Sequence, residues 1–107
     1  MERHGQIIKV KPDKVEEYIE YHKNVWPGVL ETIRECNIRN YSIFCRNGYL
    51  FAYFEYIGDD FEKDMSKMAD DPITQDWWDT VKPLQEPLES REEGEWWAEM
   101  KEVFHLD

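Results

Sequence analysis

The segment from Asn40 to Tyr56, NYSIFCRNGYLFAYFEY, constrains this chain more than any other. It holds two runs rich in β-branched and aromatic residues on either side of Asn47-Gly48, and both turn residues tolerate the positive φ of a type I′ turn. A two-residue loop leaves one register: Arg46 faces Tyr49, and counting back pairs Cys45 with Leu50, Ile43 with Ala52 and Tyr41 with Phe54. The last three pairs share one face, so Tyr41 is expected in a mostly apolar row.

The flanking segments read as helices and further strands. Gln6 to Lys11 alternates loosely and is stopped by Pro12-Asp13, which predicts a first strand and then a helix with Asp13 as candidate N-cap. Val15, Tyr18, Ile19 and His22 recur at helical spacing. Trp26 precedes a proline and is biased away from helical geometry, so the first helix should end near Asn24 and a second should begin with Pro27, with Leu30 and Ile33 as its apolar stripe. A short helix is expected from Asp60 to about Ala69. Asp71-Pro72 restarts another, carrying Gln75, Trp77, Trp78 and Val81 until Pro83 ends it. LQEPLESREEGE is loop-like. Trp96 to Leu106, WWAEMKEVFHL, does not settle its own period and is assigned as a strand because a β-α-β-β-α-β order needs a fourth. The expected fold is α+β, an antiparallel sheet with helices on one face, in a single domain over residues 1–107.

At 107 residues there is room for one core and one small pocket, and none for a separate cofactor-binding module. Thirteen basic residues against 24 acidic ones give a formal charge of -11, which repels phosphate backbones and anionic membranes. Nucleic acid and membrane partners are therefore not expected. No run approaches the ~18 apolar residues of a membrane span, and MERHGQIIKV lacks the features of a signal peptide, so a cytoplasmic location is expected. Cys36 and Cys45 have no CxxC spacing and are expected to be small buried hydrophobes.

Among residues that could carry chemistry, His22 stands out at a helix end. A histidine there interacts well with the helix dipole and needs no further role. Tyr18 lies four residues earlier on the same face, where it either converges with His22 on a ligand or packs in the core. Trp77 and Trp78 point about 100° apart on a helix, so one can face a pocket while the other anchors the core; packing of both is the simpler expectation. Trp96-Trp97 is assigned to packing or an interface. His4, His22 and His105 form no metal-binding spacing, and no GxSxG, phosphate loop or catalytic cysteine signature is present. Neither metal nor other cofactor is expected, and proton transfer is the chemistry that remains.

Four marks in order carry a family resemblance: H-x-x-V-W-P from His22 to Pro27, N-Y-x-I from Asn40 to Ile43, the pair Trp77-Trp78, and E-V-F-H-L from Glu102 to Leu106. Over nearly its whole length the sequence resembles the L-rhamnose mutarotases. The resemblance implies a ferredoxin-like dimeric α/β barrel, with the segment from about 83 to 107 contributing to a homodimer. It implies His22 as the proton-transferring residue, Tyr18, Tyr41, Trp77 and Trp78 as sugar contacts, and a free 6-deoxy-L-hexose as substrate. Two departures are visible. Gly28 stands where relatives often carry an acidic residue after Trp-Pro, and the longer stretch from Pro83 to Gly94 is similar to L-fucose mutarotases. A second class of reading, a cofactor-independent monooxygenase or a ligand-binding module of the same architecture, would require a mainly apolar pocket beside His22.

Overall fold

The computed structural model covers residues 1–107. β1 (Glu2–Val10) is followed by α1 (Val15–Lys23), α2 (Pro27–Glu35), β2 (Ile38–Arg46), β3 (Tyr49–Tyr56), α3 (Phe61–Ala69), α4 (Pro72–Val81), β4 (Gln85–Glu86) and β5 (Ala98–Met100). All strand pairs are antiparallel, in the order β2-β3-β1-β4, with β5 also on β1. This is the expected α+β, ferredoxin-like architecture with a helix pair in each crossover.

The turn chemistry sets the hairpin. Asn47 (φ 53°) and Gly48 (φ 79°) both take the left-handed conformation. Arg46 faces Tyr49, Cys45 faces Leu50 and Ile43 faces Ala52, as counted from the turn. Further from the turn the ladder slips between Arg39 and Ser42, where Asn40 has φ 50° and stands with Tyr41 opposite Phe54. This β-bulge keeps the Tyr41 ring on the Phe54 side, 5.6 Å between centroids, while bending the strand.

Three expectations are corrected. Asp13 does not cap the first helix: Pro12–Lys14 forms a 3₁₀ turn, and Lys14 takes the cap position without a side-chain bond. Caps of the expected kind occur instead at Asp60 and Asp71, which accept from the Lys63 and Thr74 amides at 3.1 and 2.9 Å. The final strand is only Ala98–Met100, and residues 101–107 have no regular structure. The start of β5 is set by β4, whose Gln85 and Glu86 pair with Val10 and Lys9, so that β5 takes the stretch Gly5–Ile7 of the same edge. Cys36 is buried as expected, but Cys45 is exposed.

One sheet face and the helices enclose the main core: Ile8, Val10, Tyr18, Val29, Leu50, Trp77, Val81 and Leu84. Gly28 fits this packing, since a Cβ there would meet Ile73 Cδ1 at 2.8 Å. The close approach of α2 to α4 at that point accounts for the absence of an acidic side chain. The opposite sheet face carries no helix. Ala98, Ile7, Phe51 and Phe44 form one row across four strands there, with Phe44 63% exposed. No helix is long and apolar enough to cross a membrane.

Candidate active site

Tyr18 and His22 are one helical turn apart on α1, and their rings stack at 4.2 Å. His22 lies in the last turn of α1 and bonds back to its own helix: its Nδ1 is 2.8 Å from the Tyr18 carbonyl oxygen. A carbonyl only accepts, so Nδ1 carries the proton in neutral imidazole and Nε2 keeps its lone pair. Nε2 has no protein partner, and no buried side-chain nitrogen or oxygen is left without one, so this atom faces open space. Burial pushes the His22 pKa below its usual 6.5, with the bond to Tyr18 acting in the opposite direction.

His22 and Tyr18 line a cavity of about 650 Å³ between the helices and the sheet. Such a volume falls within the range of about 300–1,000 Å³ usual for small-molecule sites. Tyr18, His22, Tyr41, Trp77 and Trp78 all line it, so the five residues named from the sequence converge on one enclosure. A smaller cavity of about 250 Å³ also touches Tyr18 and His22, on the side of Ile19, Ile43 and Cys45. The main lining is predominantly apolar, with Gln6, Thr74, Lys82 and Gln85 as further polar members.

Each side chain has a distinct setting. Trp77 is buried, with its ring edge-on to His22 at 5.2 Å and to Trp26 at 5.1 Å. Trp78 is half-buried, and the Lys82 ammonium lies 5.0 Å from its ring centre and 5.4 Å from that of Trp96. Tyr41 reaches the cavity through the bulge. The residue is 41% exposed, yet neighbouring atoms crowd its hydroxyl, and burial pushes its pKa to about 12. Burial also raises the Tyr18 pKa, more than the hydrogen bond from Gln85 lowers it. Both tyrosines are neutral phenols near pH 7.

Sequence reasoning missed Gln85, Trp96 and Trp97 as cavity residues. Gln85 is 5% exposed; its Nε2 donates to the Tyr18 hydroxyl oxygen at 3.2 Å and its Oε1 accepts from Trp96 Nε1 at 2.7 Å. The repeated tryptophan at Trp96-Trp97 was the only available signal, and it was assigned to packing or an interface. No group of three or more His, Cys, Asp or Glu side chains is arranged to hold a metal ion.

A sequence model of the L-rhamnose mutarotase family matches residues 3–106. The chain belongs to the L-rhamnose mutarotase family. L-rhamnose mutarotases of Bacillus subtilis and Oceanobacillus iheyensis are 38% and 37% identical to it, each alignment covering 100% of both chains. The crystal structure of L-rhamnose mutarotase from Formosa agariphila shares the fold, with a TM-score of 0.78 at 23% identity and full coverage of both chains. Mutarotases are isomerases acting on carbohydrates.

Proposed function

We propose that the protein is an isomerase that interconverts the α and β anomers of free L-rhamnose, with His22 as its acid-base group. The observation that carries this reading is the neutral imidazole on the cavity wall beside Tyr18, fixed by its own helix and with Nε2 free of any protein partner. Mutarotation needs no nucleophile or redox step. The anomeric hydroxyl loses a proton, the C1–O5 bond breaks with its electron pair going to O5, and O5 gains a proton. Rotation about C1–C2 in the open aldehyde then presents the other face, and reclosure reverses the transfers. Imidazole takes and gives protons near neutral pH, which suits it to both directions. Tyr18 and Tyr41, held neutral by burial, serve as hydrogen-bonding contacts for hydroxyls, and a tryptophan covers a C–H face of the ring. A cytoplasmic location accords with a sugar-metabolising activity of this kind.

The substrate class is a 6-deoxy-L-hexose, L-rhamnose first and L-fucose second. The apolar lining suits the C6 methyl group, but burying one methyl contributes only about 1 kcal/mol, so discrimination between these sugars rests on hydroxyl geometry at the tyrosines. The test is saturation-transfer NMR of anomer exchange with L-rhamnose, L-fucose, D-glucose and D-galactose. Faster exchange of the deoxy sugars is the expected result. Equal rates for the D-sugars would remove the methyl pocket, and no exchange of any sugar would transfer the cavity to the rival reading, a non-sugar binding module.

The active form is a homodimer joined through the helix-free sheet face, with the C-terminal segment contributing. Phe44 and Phe51 are cross-strand partners on that face, and beyond β5 the Phe104 side chain is 79% exposed. Contiguous apolar surface of this kind marks an interaction site. Light scattering at micromolar concentration should give twice the chain mass, and Phe44→Lys should shift it toward one. A wild-type monomer would remove the dimer.

A further inference from the structure

Gln85 is a buried hydrogen-bond partner of Tyr18, the half-buried Trp96 is in turn a partner of Gln85, and both lie outside the residues named above as sugar contacts. An indole N–H can only donate, so the Gln85 atom 2.7 Å from Trp96 Nε1 must be the amide oxygen. This removes the usual ambiguity between amide oxygen and nitrogen. The amide nitrogen then faces Tyr18, where an N–H can only donate, and the phenol oxygen must accept at 3.2 Å. The phenol has one hydrogen of its own, and that hydrogen has no protein acceptor.

We infer that Gln85, oriented by Trp96, fixes the polarity of the Tyr18 hydroxyl so that it donates its hydrogen to an oxygen of the bound sugar. The inference rests on the reading of Tyr18 as a sugar contact. Gln85 is a positioning residue: it touches no substrate and acts through Tyr18. The chain runs from indole N–H to amide oxygen, from amide N–H to phenol oxygen, and from phenol O–H into the cavity. The first two links point one way because an N–H cannot accept, and the phenol, its oxygen already accepting from Gln85, has its own hydrogen left to offer. Donation into the cavity complements His22 on the same wall, whose Nε2 has no protein donor and is left to accept. The pair offers one donor and one acceptor on adjacent turns, the set needed to hold a ring oxygen and a hydroxyl together.

Gln85→Glu tests the direction without changing shape. An ionised carboxylate accepts from both neighbours, so the Tyr18 hydrogen turns toward residue 85 and away from the sugar. A protonated carboxyl can donate again. Relative to wild type at the same pH, Gln85→Glu should lose at least tenfold in kcat/KM for L-rhamnose at alkaline pH, mainly through KM. The deficit should shrink as pH falls, and it should vanish in a Tyr18→Phe background. Gln85→Met, which removes the partner without reversing it, should lose less. A deficit independent of pH, or one that persists beside Phe at position 18, would overturn the inference.

A second measurement does not depend on the folding of the carboxylate variant. The tyrosine Fermi doublet in ultraviolet Raman spectra distinguishes an accepting phenol from one that only donates. The difference between sugar-free wild type and Tyr18→Phe should report a phenol oxygen that accepts, and a donor-only signature would overturn the inference. Wild-type protein that fails to exchange L-rhamnose anomers would sink the mutarotase reading instead, leaving this sugar-free spectrum to judge Gln85.

Discussion

Replacing His22 by Ala is expected to lower protein-catalysed anomer exchange by about 10²- to 10⁴-fold, the range that a positioned acid-base group contributes. The fold should persist. His22 is only half-buried, it borders the core through the Tyr18 and Trp77 rings without being enclosed by it, and its one hydrogen bond returns to its own helix. Far-ultraviolet circular dichroism should therefore overlay wild type while exchange falls to the uncatalysed rate. A folded His22→Ala protein that exchanges L-rhamnose at the wild-type rate would take the residue out of the mechanism. The same site makes a pH prediction. Burial lowers the folded pKa below 6.5, so the base form persists into mildly acidic solution, and the acid limb of kcat/KM should fall below that value. For stability, the unfolded chain binds the proton at 6.5 while the folded one still refuses it. Stability is thus unaffected by His22 above 6.5 and declines as pH falls from there toward the folded pKa.

Trp77→Ala is the second large effect, and it acts on stability. The indole is buried in the main core and is packed edge-on by Tyr21, His22 and Trp26. Truncation of a buried tryptophan costs about 3–5 kcal/mol, a large share of the roughly 5–15 kcal/mol that holds a domain together. Trp78→Ala should cost clearly less, because that ring is half-buried and has the Lys82 ammonium 5.0 Å from its centre. The adjacent pair is thereby divided between an anchor that also shapes the cavity wall and a more accessible wall residue. Urea unfolding midpoints of the two variants decide the matter, and equal losses would refute the division.

How much of this could be read from the chain depended on whether the signal was local. The hairpin was legible because Asn47 and Gly48 set their own backbone, and the register followed by counting. Pro27 and Pro72 announced helix starts for the same reason. β1 extends back to Glu2, through polar residues, because it is defined by its ladder to β3 rather than by alternation. The C-terminal strand was too long as read, and the hold of β4 on the same edge, which keeps Trp96 and Trp97 out of the ladder, is invisible in one sequence. His22 and Tyr18 were found by helical spacing. Gln85 was not, because its partner Tyr18 lies 67 residues away and the surrounding segment reads as a charged loop. Cys45 was misplaced because the hairpin register gives a face, not the depth of cover over it.

The slip at Asn40 and Tyr41 also bears on how the molecule behaves in a crowded solution. β2 is the outermost strand of the sheet, nine residues long and carrying Ile38, Ile43 and Phe44, and a flat edge of that kind would template the addition of foreign chains. The left-handed residue breaks the row of hydrogen-bonding groups in mid-strand, and the Asn40 amide is held by Glu55 Oε1 at 2.6 Å, so the interruption is fastened to the neighbouring strand. The bend that delivers a tyrosine to the cavity therefore also interrupts the edge along which the protein would otherwise polymerise.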